Sequence, residues 1–581
     1  MLSKLFRYIR GYEKAAILAP VLVIIEIVCE LWLPQIMAKI IDDGIQGAGG
    51  LPLILRCAGV MLVLSICFMT AGVTSVKFCA RAAQGFGANL RKAMFDHVQE
   101  FSFFDIDRFS SASLITRLTN DVNNIQSMVN MGLRIIVRAP VTLLASLFVC
   151  YRLDSRLAVV LFCVVPAMAL AIALLMRVCH RLFENLQRKI DGLNDTVQEN
   201  LIGIRVVKAF VRETYEKQKF KKANDDLYHG TLAAVTRVMF MTPIMQLSFN
   251  FSIVLILWLG GRYVIGGTLS DGDLFAFISY ILNVLFSVMM LAFTFLQLTR
   301  ARACAERINE VLETVPSIYD GSVDNEDALP EMRGLVEFCD VSFRYNATGS
   351  GDDVLSHIDL RIEPGEFVAI VGGTGVGKSS LVNLIPRFYD VTGGSVRLDG
   401  MDVRDYPVDA LRQRIGMVLQ NNVLFSGTIR ENLLWGNPDA TEEQLRRAAA
   451  DAQALDFIES FPDGFDTYID QGGVNVSGGQ KQRLCIARAM LRHPAVLILD
   501  DSTSAVDSAT EAAIRRSFSE NLKDTTVIII AQRISSVRHA DKIVILDDDH
   551  IAGMGTHNEL LASNPIYQEI YASQQEGVIE E

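Results

Sequence analysis

Apolar runs and charged stretches alternate along the first half of the chain. Three of the runs hold no charged side chain and are 20, 24 and 26 residues long, namely 157–176, 238–261 and 274–299. A helix needs about 20 consecutive apolar residues to cross the hydrocarbon core of a bilayer. Each of the three runs therefore predicts a membrane-spanning helix.

Three further apolar runs are interrupted by charged residues and predict spans less strongly. The runs are 15–34, 51–76 and 135–151. The interrupting residues are Glu26, Glu30, Arg56 and Arg138. Buried helices of a soluble core are the alternative for these runs. Six spans in total nevertheless give a self-consistent topology, with both ends of the domain on one side of the membrane.

The distribution of basic residues predicts the orientation of the six spans. Residues 77–138 hold 8 Lys and Arg, and residues 177–237 hold 12. The three loops on the other side hold only four. Because cytoplasmic loops carry the excess of Lys and Arg, the N-terminus and both long inner segments are predicted to be cytoplasmic.

The two inner segments show apolar residues at helical spacing, so we expect the membrane helices to continue into the cytoplasm. Residues 1–14 place Leu2, Leu5 and Phe6 on one helical face and basic residues on another. This pattern is typical of a helix on the inner membrane surface. A signal peptide is the alternative, but the following apolar run is too long and contains two glutamates.

Glu26 and Glu30 lie one helical turn apart within the first span. Ionisable residues inside a span usually face the bundle interior or a water-filled path, so both are candidates for the substrate pathway. The alternative is that Glu30 lies near the outer headgroups.

Charge and cysteine usage exclude several classes of protein. Residues 1–320 carry a net charge of +7 and residues 321–581 carry −19. An acidic second half argues against nucleic-acid binding and indicates a soluble cytosolic domain. The ten cysteines include no C-x-x-C pair. Reduced thiols in apolar surroundings therefore fit better than disulfides or a zinc site.

The second half contains a strand, a glycine-rich loop and a helix in the segment EFVAIVGGTGVGKSSLVNLI. Gly372, Gly377, Lys378 and Ser379 satisfy the pattern G-x-x-x-x-G-K-[ST]. In this pattern the backbone N–H groups surround phosphates at a helix N-terminus. We expect Lys378 to reach the β- and γ-phosphates and Ser379 to bind Mg²⁺.

Two later segments complete a nucleotide site. The apolar run AVLILD ends in Asp500, which is placed to hold the Mg²⁺ shell. The segment VSGGQKQRLCIARAM begins a helix with Ser477, Gly478, Gly479 and Gln480, which predicts a second anion site at a helix N-terminus.

With these motifs the chain resembles a half-transporter of the exporter type from the ATP-binding-cassette (ABC) family. The resemblance implies an α-helical six-span transmembrane domain with long cytoplasmic extensions, followed by an α/β P-loop ATPase domain. The predicted parts are a surface helix (1–14), the membrane domain (15–310) with six helices and two cytoplasmic coupling loops, a linker (311–334) and the cassette (335–581). Residues 103–122 and 199–213 resemble the inner loops whose short coupling helices press on the cassettes. The residues assigned to the ATP site are Tyr345, Gly372, Gly373, Thr374, Gly375, Val376, Gly377, Lys378, Ser379 and Ser380.

The resemblance also implies roles for single residues. Tyr345 is similar to the aromatic residue that stacks on adenine, with a plain strand tyrosine as the alternative. Gln420 resembles a Mg²⁺ ligand beside Ser379 and Asp500. Asp507 belongs to the segment SAVD, which resembles the loop that contacts a partner cassette. In this architecture two cassettes close on two ATP molecules, each held between one glycine loop and the other chain's SGGQ.

Two positions depart from the active family pattern. The residue after Asp500 is a glutamate in active cassettes and is Asp501 here, and the switch histidine is replaced by Gln532. Asp501 is shorter by one methylene, and a misplacement of roughly 1 Å can cost about a hundredfold in rate. A glutamine cannot become cationic or shuttle a proton. We therefore expect this chain to bind MgATP at its own site with impaired hydrolysis.

The intact signature suggests a partner half-transporter that has the normal Glu and His, in the manner of heterodimeric bacterial multidrug exporters. A homodimer is the alternative. The expected function is ATP-driven export of amphipathic or apolar compounds, drug-like or lipid-like, across the plasma (bacterial inner) membrane. Catalysis is expected mainly at the partner's site. A nucleotide-gated regulator or channel and a lipid or peptide exporter remain alternatives. The expected partners are membrane lipid, a small amphipathic substrate and no nucleic acid.

Overall fold

The computed structural model describes residues 2–323, 329–345, 353–501, 507–531 and 533–579. The chain divides into two compact units. One unit comprises Met1–Gln99 and Ala112–Thr314, and the other comprises Glu100–Ser111 and Val315–Glu581. The short segment 100–111 therefore groups with the cassette, although it lies within the first inner loop of the membrane domain.

The membrane unit consists of helices joined by short turns and contains no β-strand among its described residues. Short π-helical turns at Ile40–Gln46, Arg117–Asp121 and Gly132–Ile136 join some of the helices. The helices of this unit, together with α4 and α5 of the first inner loop, are α1 (Leu2–Leu5), α2 (Glu13–Lys39), α3 (Gly50–Gln99), α4 (Phe103–Phe109), α5 (Ser111–Thr116), α6 (Val122–Met131), α7 (Val137–Leu153), α8 (Ser155–Ile202), α9 (Ile204–Ala209), α10 (Glu213–Met239), α11 (Met241–Ile265) and α12 (Asp271–Glu313).

Six stretches of this unit are long and apolar enough to span a membrane, which confirms the predicted count within the described residues. The inner segments are helical as expected, because α3 continues to Gln99 and α8 continues to Ile202. The surface helix predicted over 1–14 is different. The α-helix ends at Leu5, and a 3-10 turn follows over Phe6–Ile9. Gly11, with φ of 87°, then interrupts the helical conformation before α2 begins.

The core of the membrane unit lies where α2, α7, α8 and α12 meet. Buried residues there include Val23 and Ile27 of α2, Leu161 of α8 and Phe277 of α12. The hydroxyl of Tyr280 donates a hydrogen bond of 2.5 Å to the carbonyl oxygen of Leu31. Many residues on the outer faces of these helices are apolar and exposed, as expected for surfaces that contact lipid.

The cassette unit contains two main sheets. An antiparallel sheet has the strand order β2-β1-β4-β5, and a mostly parallel sheet has the order β12-β11-β3-β10-β9-β6. The strands are β1 (Val336–Phe343), β2 (Leu355–Ile362), β3 (Phe367–Gly372), β4 (Gly393–Leu398), β5 (Met401–Asp402), β6 (Ile415–Val418), β7 (Gly427–Thr428), β8 (Tyr468–Ile469), β9 (Val496–Asp500), β10 (Thr526–Ile530), β11 (Lys542–Asp547) and β12 (His550–Gly555).

The parallel sheet is covered on both faces, so its strands read as continuous apolar runs. Along β10, Ile528 faces the core shared with the antiparallel sheet, and Ile529 faces the helical side. The helices of this unit are α13 (Lys378–Asn383), α14 (Val408–Gln413), α15 (Ile429–Leu434), α16 (Glu442–Asp451), α17 (Leu455–Ser460), α18 (Gly478–Met490), α19 (Ser508–Asn521), α20 (Ile534–Val537), α21 (His557–Ser563) and α22 (Pro565–Ile579).

Helix α4 of the first inner loop packs within the cassette unit. The ring of Phe103 lies 4.5 Å from that of Phe388, measured between centroids. The hydroxyl of Tyr389 donates to Asp107 Oδ2 at 2.9 Å. Asp105 is buried and accepts hydrogen bonds from Ser102 and Ser317. One predicted coupling loop thus docks on the chain's own cassette.

Candidate functional site: an ATP site with two altered positions

The glycine-rich loop connects the end of β3 to the start of α13. Gly373, Thr374, Gly375 and Val376 form the loop, and Gly377 caps the helix in a left-handed conformation with φ of 88°. A Cβ atom at Gly377 would lie 2.9 Å from the carbonyl oxygen of Val354. Both the backbone conformation and the close contact require glycine at this position.

Lys378 folds back onto the loop that it follows. Its Nζ donates to the carbonyl oxygen of Gly372 at 2.9 Å and also to that of Gly373. Burial lowers the pKa of Lys378, while Asp500 and Asp501 oppose this shift. Anionic phosphates would compensate this half-buried cation, so the loop fits the triphosphate predicted from the sequence.

Ser379 and Asp500 meet as a Mg²⁺ site requires. Ser379 Oγ donates to Asp500 Oδ1 at 3.0 Å, and Asp500 is a buried residue at the carboxyl end of β9. Burial raises the pKa of Asp500, and the neighbouring Asp501 adds to the shift. A hydroxyl and a carboxylate are oxygen ligands of the kind that Mg²⁺ prefers, and the cation would stabilise the carboxylate. Gln420 is exposed, two residues after β6.

Asp501 follows β9 directly and adopts φ of 48°, in the left-handed region. Its backbone N–H donates to the carbonyl oxygen of Ile530 at 3.2 Å, which links β9 to the end of β10. Burial raises the pKa of Asp501 although Lys378 opposes the shift. Gln532 lies outside the described residues. Strand β10, which ends two residues before it, lies between β3 and β9 in the sheet.

Tyr345 lies beside α13, the helix that follows the glycine-rich loop. Its hydroxyl forms a hydrogen bond of 2.8 Å with Ser380 Oγ in α13. The ring is 43% exposed and packs edge-on against Phe343 and Tyr389. The exposed fraction leaves part of the ring free for a stacked base. Sequence analysis did not name Tyr389, which touches both Tyr345 and helix α4.

The signature segment begins helix α18 as the sequence predicts. Ser477 is the N-cap, and its Oγ accepts from Gln480 N at 3.3 Å while Gln480 Oε1 accepts from Ser477 N at 2.9 Å. Gly478 follows at the first helical position and is exposed. The first N–H groups of a helix have no partner within the helix, so this end can bind an anion from another molecule.

Asp507 caps helix α19 within its own chain. Its Oδ1 accepts from the backbone N–H groups of Ala509 at 3.1 Å and Thr510 at 2.9 Å. The Thr510 hydroxyl, which donates to Oδ2 at 2.7 Å, lowers the pKa of Asp507, and these backbone bonds add to the shift. The expected contact of Asp507 with a partner chain stays a prediction.

Glu26 and Glu30 share a partner that the sequence analysis named only as an interruption of a span. Arg138 of α7 forms ion pairs with both carboxylates of α2, at 2.7 Å from its Nη2 to Glu30 Oε2. Glu26 is buried within the membrane unit, whereas Glu30 is partly exposed. The opposite signs of the charges in these two weak spans were a signal that could have indicated the pairing.

The fold and the site together define a half-transporter of the exporter class, with a six-span membrane domain fused to one ATP-binding domain. A family model described as ABC transporter transmembrane region matches residues 16–289. A second, described as ABC transporter, matches residues 355–504. The chain belongs to the ABC transporter family. It is a multi-pass membrane protein with a cytoplasmic ATPase domain, and the family couples ATP hydrolysis to transport.

Similar proteins agree with this assignment over nearly the whole chain. The uncharacterized ABC transporter ATP-binding protein YfiB of Bacillus subtilis is 38% identical, over 99% of this chain and 98% of the relative. The ATP-dependent lipid A-core flippase of Desulfotalea psychrophila is 34% identical, over 88% of this chain and 89% of the relative. The structure of a bacterial Atm1-family ABC exporter with ATP bound has a TM-score of 0.80 and 25% identity, over 97% and 98% of the two chains.

Proposed function

We propose that this chain is the degenerate-site half of a heterodimeric exporter that moves amphipathic or apolar compounds out of the cytoplasm. Its own site binds MgATP and hydrolyses it slowly, and its signature segment completes the active site of a second half-transporter. The observation that carries the proposal is Asp501, which follows the Mg²⁺ residue Asp500 where an active cassette has glutamate.

The contrast between binding and catalytic residues supports this proposal. Lys378 lies against the glycine-rich loop and Ser379 donates to Asp500, an arrangement that supports nucleotide binding. The position that polarises the attacking water carries the shorter carboxylate, and a misplacement of about 1 Å can lower a rate about a hundredfold. Binding is therefore retained where hydrolysis is impaired.

An unpaired coupling helix supports the requirement for a second chain. Helix α9 and the residues after it expose several large apolar side chains, among them Phe210, which is 73% exposed, and Val211, which is 78% exposed. Exposed apolar patches of this kind mark protein–protein contacts. Helix α4, by contrast, already packs on the chain's own cassette. The second cassette of the dimer is the partner that α9 fits.

A lipid-like cargo is one form of this proposal. The flippase of Desulfotalea psychrophila, which is 34% identical, is described as acting on lipid A-core. A bulky amphipathic molecule of this type would share an apolar tail with the drug-like compounds expected from the sequence. We therefore place both under the same class of amphipathic cargo.

The proposal is tested by measuring ATPase activity of the chain alone and with a co-expressed half-transporter that has the normal Glu and His. We expect little activity from the chain alone and activity on co-expression. In the assembled transporter, Gly478→Glu should abolish turnover because it blocks the signature, whereas Asp501→Ala should have a small effect. Robust turnover by a purified homodimer would exclude the heterodimer. Equal losses from the two substitutions would exclude the division of labour between the two sites.

A further inference from the structure

Two carboxylates and one guanidinium meet inside the membrane unit. Glu26 and Glu30 lie one turn apart on α2, and Arg138 near the start of α7 pairs with both. With both carboxylates ionised the three side chains carry a net charge of −1. An uncompensated charge is strongly unfavourable in a low-dielectric interior, so this arrangement requires a further positive charge or a proton.

One oxygen of this group has no partner. Glu26 is 3% exposed, and its Oε2 is enclosed without a hydrogen-bond donor among the described residues. Gly72 of α3 faces the same carboxylate, because a Cβ atom there would lie 3.3 Å from Glu26 Oε1. An ionised carboxylate can only accept hydrogen bonds, so the missing group is a donor.

Two hydroxyl groups on α7 extend the same polar stripe. Thr142 and Ser146 follow Arg138 at intervals of four residues, which places all three on one face of the helix. Both are buried, and Thr142 Oγ1 and Ser146 Oγ have no partner in the described part of the chain.

Hydroxyl groups elsewhere in the membrane helices behave differently. Ser252 of α11 donates to the carbonyl oxygen four residues earlier at 2.6 Å, and Ser287 of α12 does the same at 2.6 Å. This back-bonding satisfies a buried hydroxyl within its own helix. Thr142 and Ser146 lack such a bond, so each is a buried hydroxyl without a partner among the described residues.

We propose that these five residues, which we call the acidic membrane cluster, form a subsite for the ammonium group of a cationic amphipathic compound. The members of the cluster are Glu26, Glu30, Arg138, Thr142 and Ser146. An ammonium group supplies both the missing positive charge and N–H donors. This inference rests on the proposed export function and narrows its cargo to compounds with one cationic group.

The geometry also assigns different roles within the cluster. Arg138 pairs with both carboxylates and neutralises one negative charge. The site therefore carries one net negative charge and disfavours anionic headgroups. Glu30 and Arg138 are partly exposed, whereas Glu26 is not, so a ligand would approach from the Glu30 side. A brace between α2 and α7 would need only one carboxylate and would not leave acceptors unpaired.

Four probes that share a ten-carbon chain and differ in headgroup test the subsite: decylammonium, decyltrimethylammonium, decanol and decanoate. Their direct binding is measured on the assembled transporter in lipid nanodiscs, with wild type and variant compared in the same lipid so that partitioning cancels. We expect Glu26→Gln to weaken decylammonium binding about tenfold, since a hydrogen bond to a charged group is lost. Decanol binding should not change. Decyltrimethylammonium, which lacks N–H donors, should bind wild type more weakly than decylammonium.

Thr142→Val separates a ligand role from a structural one. Threonine and valine have nearly the same shape. Because the variant removes a buried hydroxyl without a partner, its thermal stability should equal or exceed that of wild type. A subsite predicts that the same variant binds decylammonium about tenfold more weakly, as expected for the loss of one hydrogen bond from a charged donor. Glu184→Gln is the matched control, because it removes one carboxylate from an exposed pair with Arg188 and should leave probe binding unchanged.

Equal binding of decylammonium by wild type and Glu26→Gln would overturn the proposal, as would equal losses for decylammonium and decanoate. If Glu26→Gln does not fold, Glu30→Gln and Thr142→Val carry the test. Probe binding needs no ATP hydrolysis, so it is independent of the exporter assignment. An assembled transporter without ATP-driven transport would contradict the proposed function alone.

Discussion

Replacement of Asp105 by alanine tests how helix α4 is held on the cassette. Asp105 is 3% exposed, and its Oδ2 accepts four hydrogen bonds. Two come from Ser102, from N at 3.0 Å and from Oγ at 2.8 Å. Two come from Ser317, from N at 3.0 Å and from Oγ at 3.1 Å. A single carboxylate thus joins the start of α4 to the segment that leads into the cassette.

The expected cost follows from what alanine leaves behind. The two hydroxyl groups can rotate toward other acceptors, but the backbone N–H groups of Ser102 and Ser317 cannot. Each unsatisfied buried donor costs about 1–3 kcal/mol, and removal of one member of a buried charged network costs about 3–5 kcal/mol. We therefore expect Asp105→Ala to lower the free energy of local opening of α4 by about 3–5 kcal/mol. This corresponds to about two to three and a half orders of magnitude in the opening equilibrium.

Hydrogen–deuterium exchange of residues 103–109 in the assembled transporter measures this opening. Asp105→Asn keeps an acceptor and loses only the charge, so it should cost about 1–2 kcal/mol. Asp107→Asn is the matched control on the same helix. Asp107 is exposed and accepts one bond from Tyr389, so its loss should cost about 1 kcal/mol or less. Transport per ATP hydrolysed should fall in the same order, because α4 belongs to the inner loop that is expected to couple the two domains.

Unchanged protection of α4 in Asp105→Ala would refute this reasoning. So would equal exchange in Asp105→Ala and Asp107→Asn, since the two carboxylates differ in burial and in the number of donors they accept.

Three further predictions concern the cassette. Asp507→Ala removes the N-cap of α19 and should lower the free energy of unfolding by about 0.5–2 kcal/mol, measured by denaturant titration. Asp507→Ser keeps an N-cap oxygen and should retain most of this stability. Gly377→Ala forces a Cβ atom into left-handed backbone beside Val354, so it should cost about 1–2 kcal/mol and weaken binding of a fluorescent ATP analogue. Burial raises the pKa of Asp500, so protons compete with Mg²⁺ there as pH falls. MgATP affinity should therefore decline on acidification in wild type and much less in Asp500→Asn; equal declines would assign the effect to another group.

Features with a local sequence signal were predicted well. The six spans, the cytoplasmic extension of α3 and the helix beginning at Gly478 all follow from periodicity, length or capping residues within one segment. The glycine loop is also local, because Gly377 and Lys378 are neighbours in the chain. Such patterns hold whatever the rest of the fold does.

Features that depend on distant residues were missed. Arg138 lies 112 residues from Glu26, and Ser317 lies 212 residues from Asp105. No periodicity connects such pairs, because the choice of partner depends on how the helices pack. The break at Gly11 was missed for a different reason. An amphipathic pattern continues through a residue whose backbone does not continue the helix.

The exposed apolar surface formed by α9 and the two residues after it has a consequence for the stability of the protein in the cell. Phe210 and Val211 would remain in water for as long as the chain waits for its partner. Quality-control proteases and chaperones recognise exposed apolar segments, and subunits left without a partner are removed. For the heterodimer proposed above, the steady-state level of this chain should therefore follow the supply of the other half. Synthesis of the two halves in matched amounts, as from one transcript, would then limit the loss of unpaired chains.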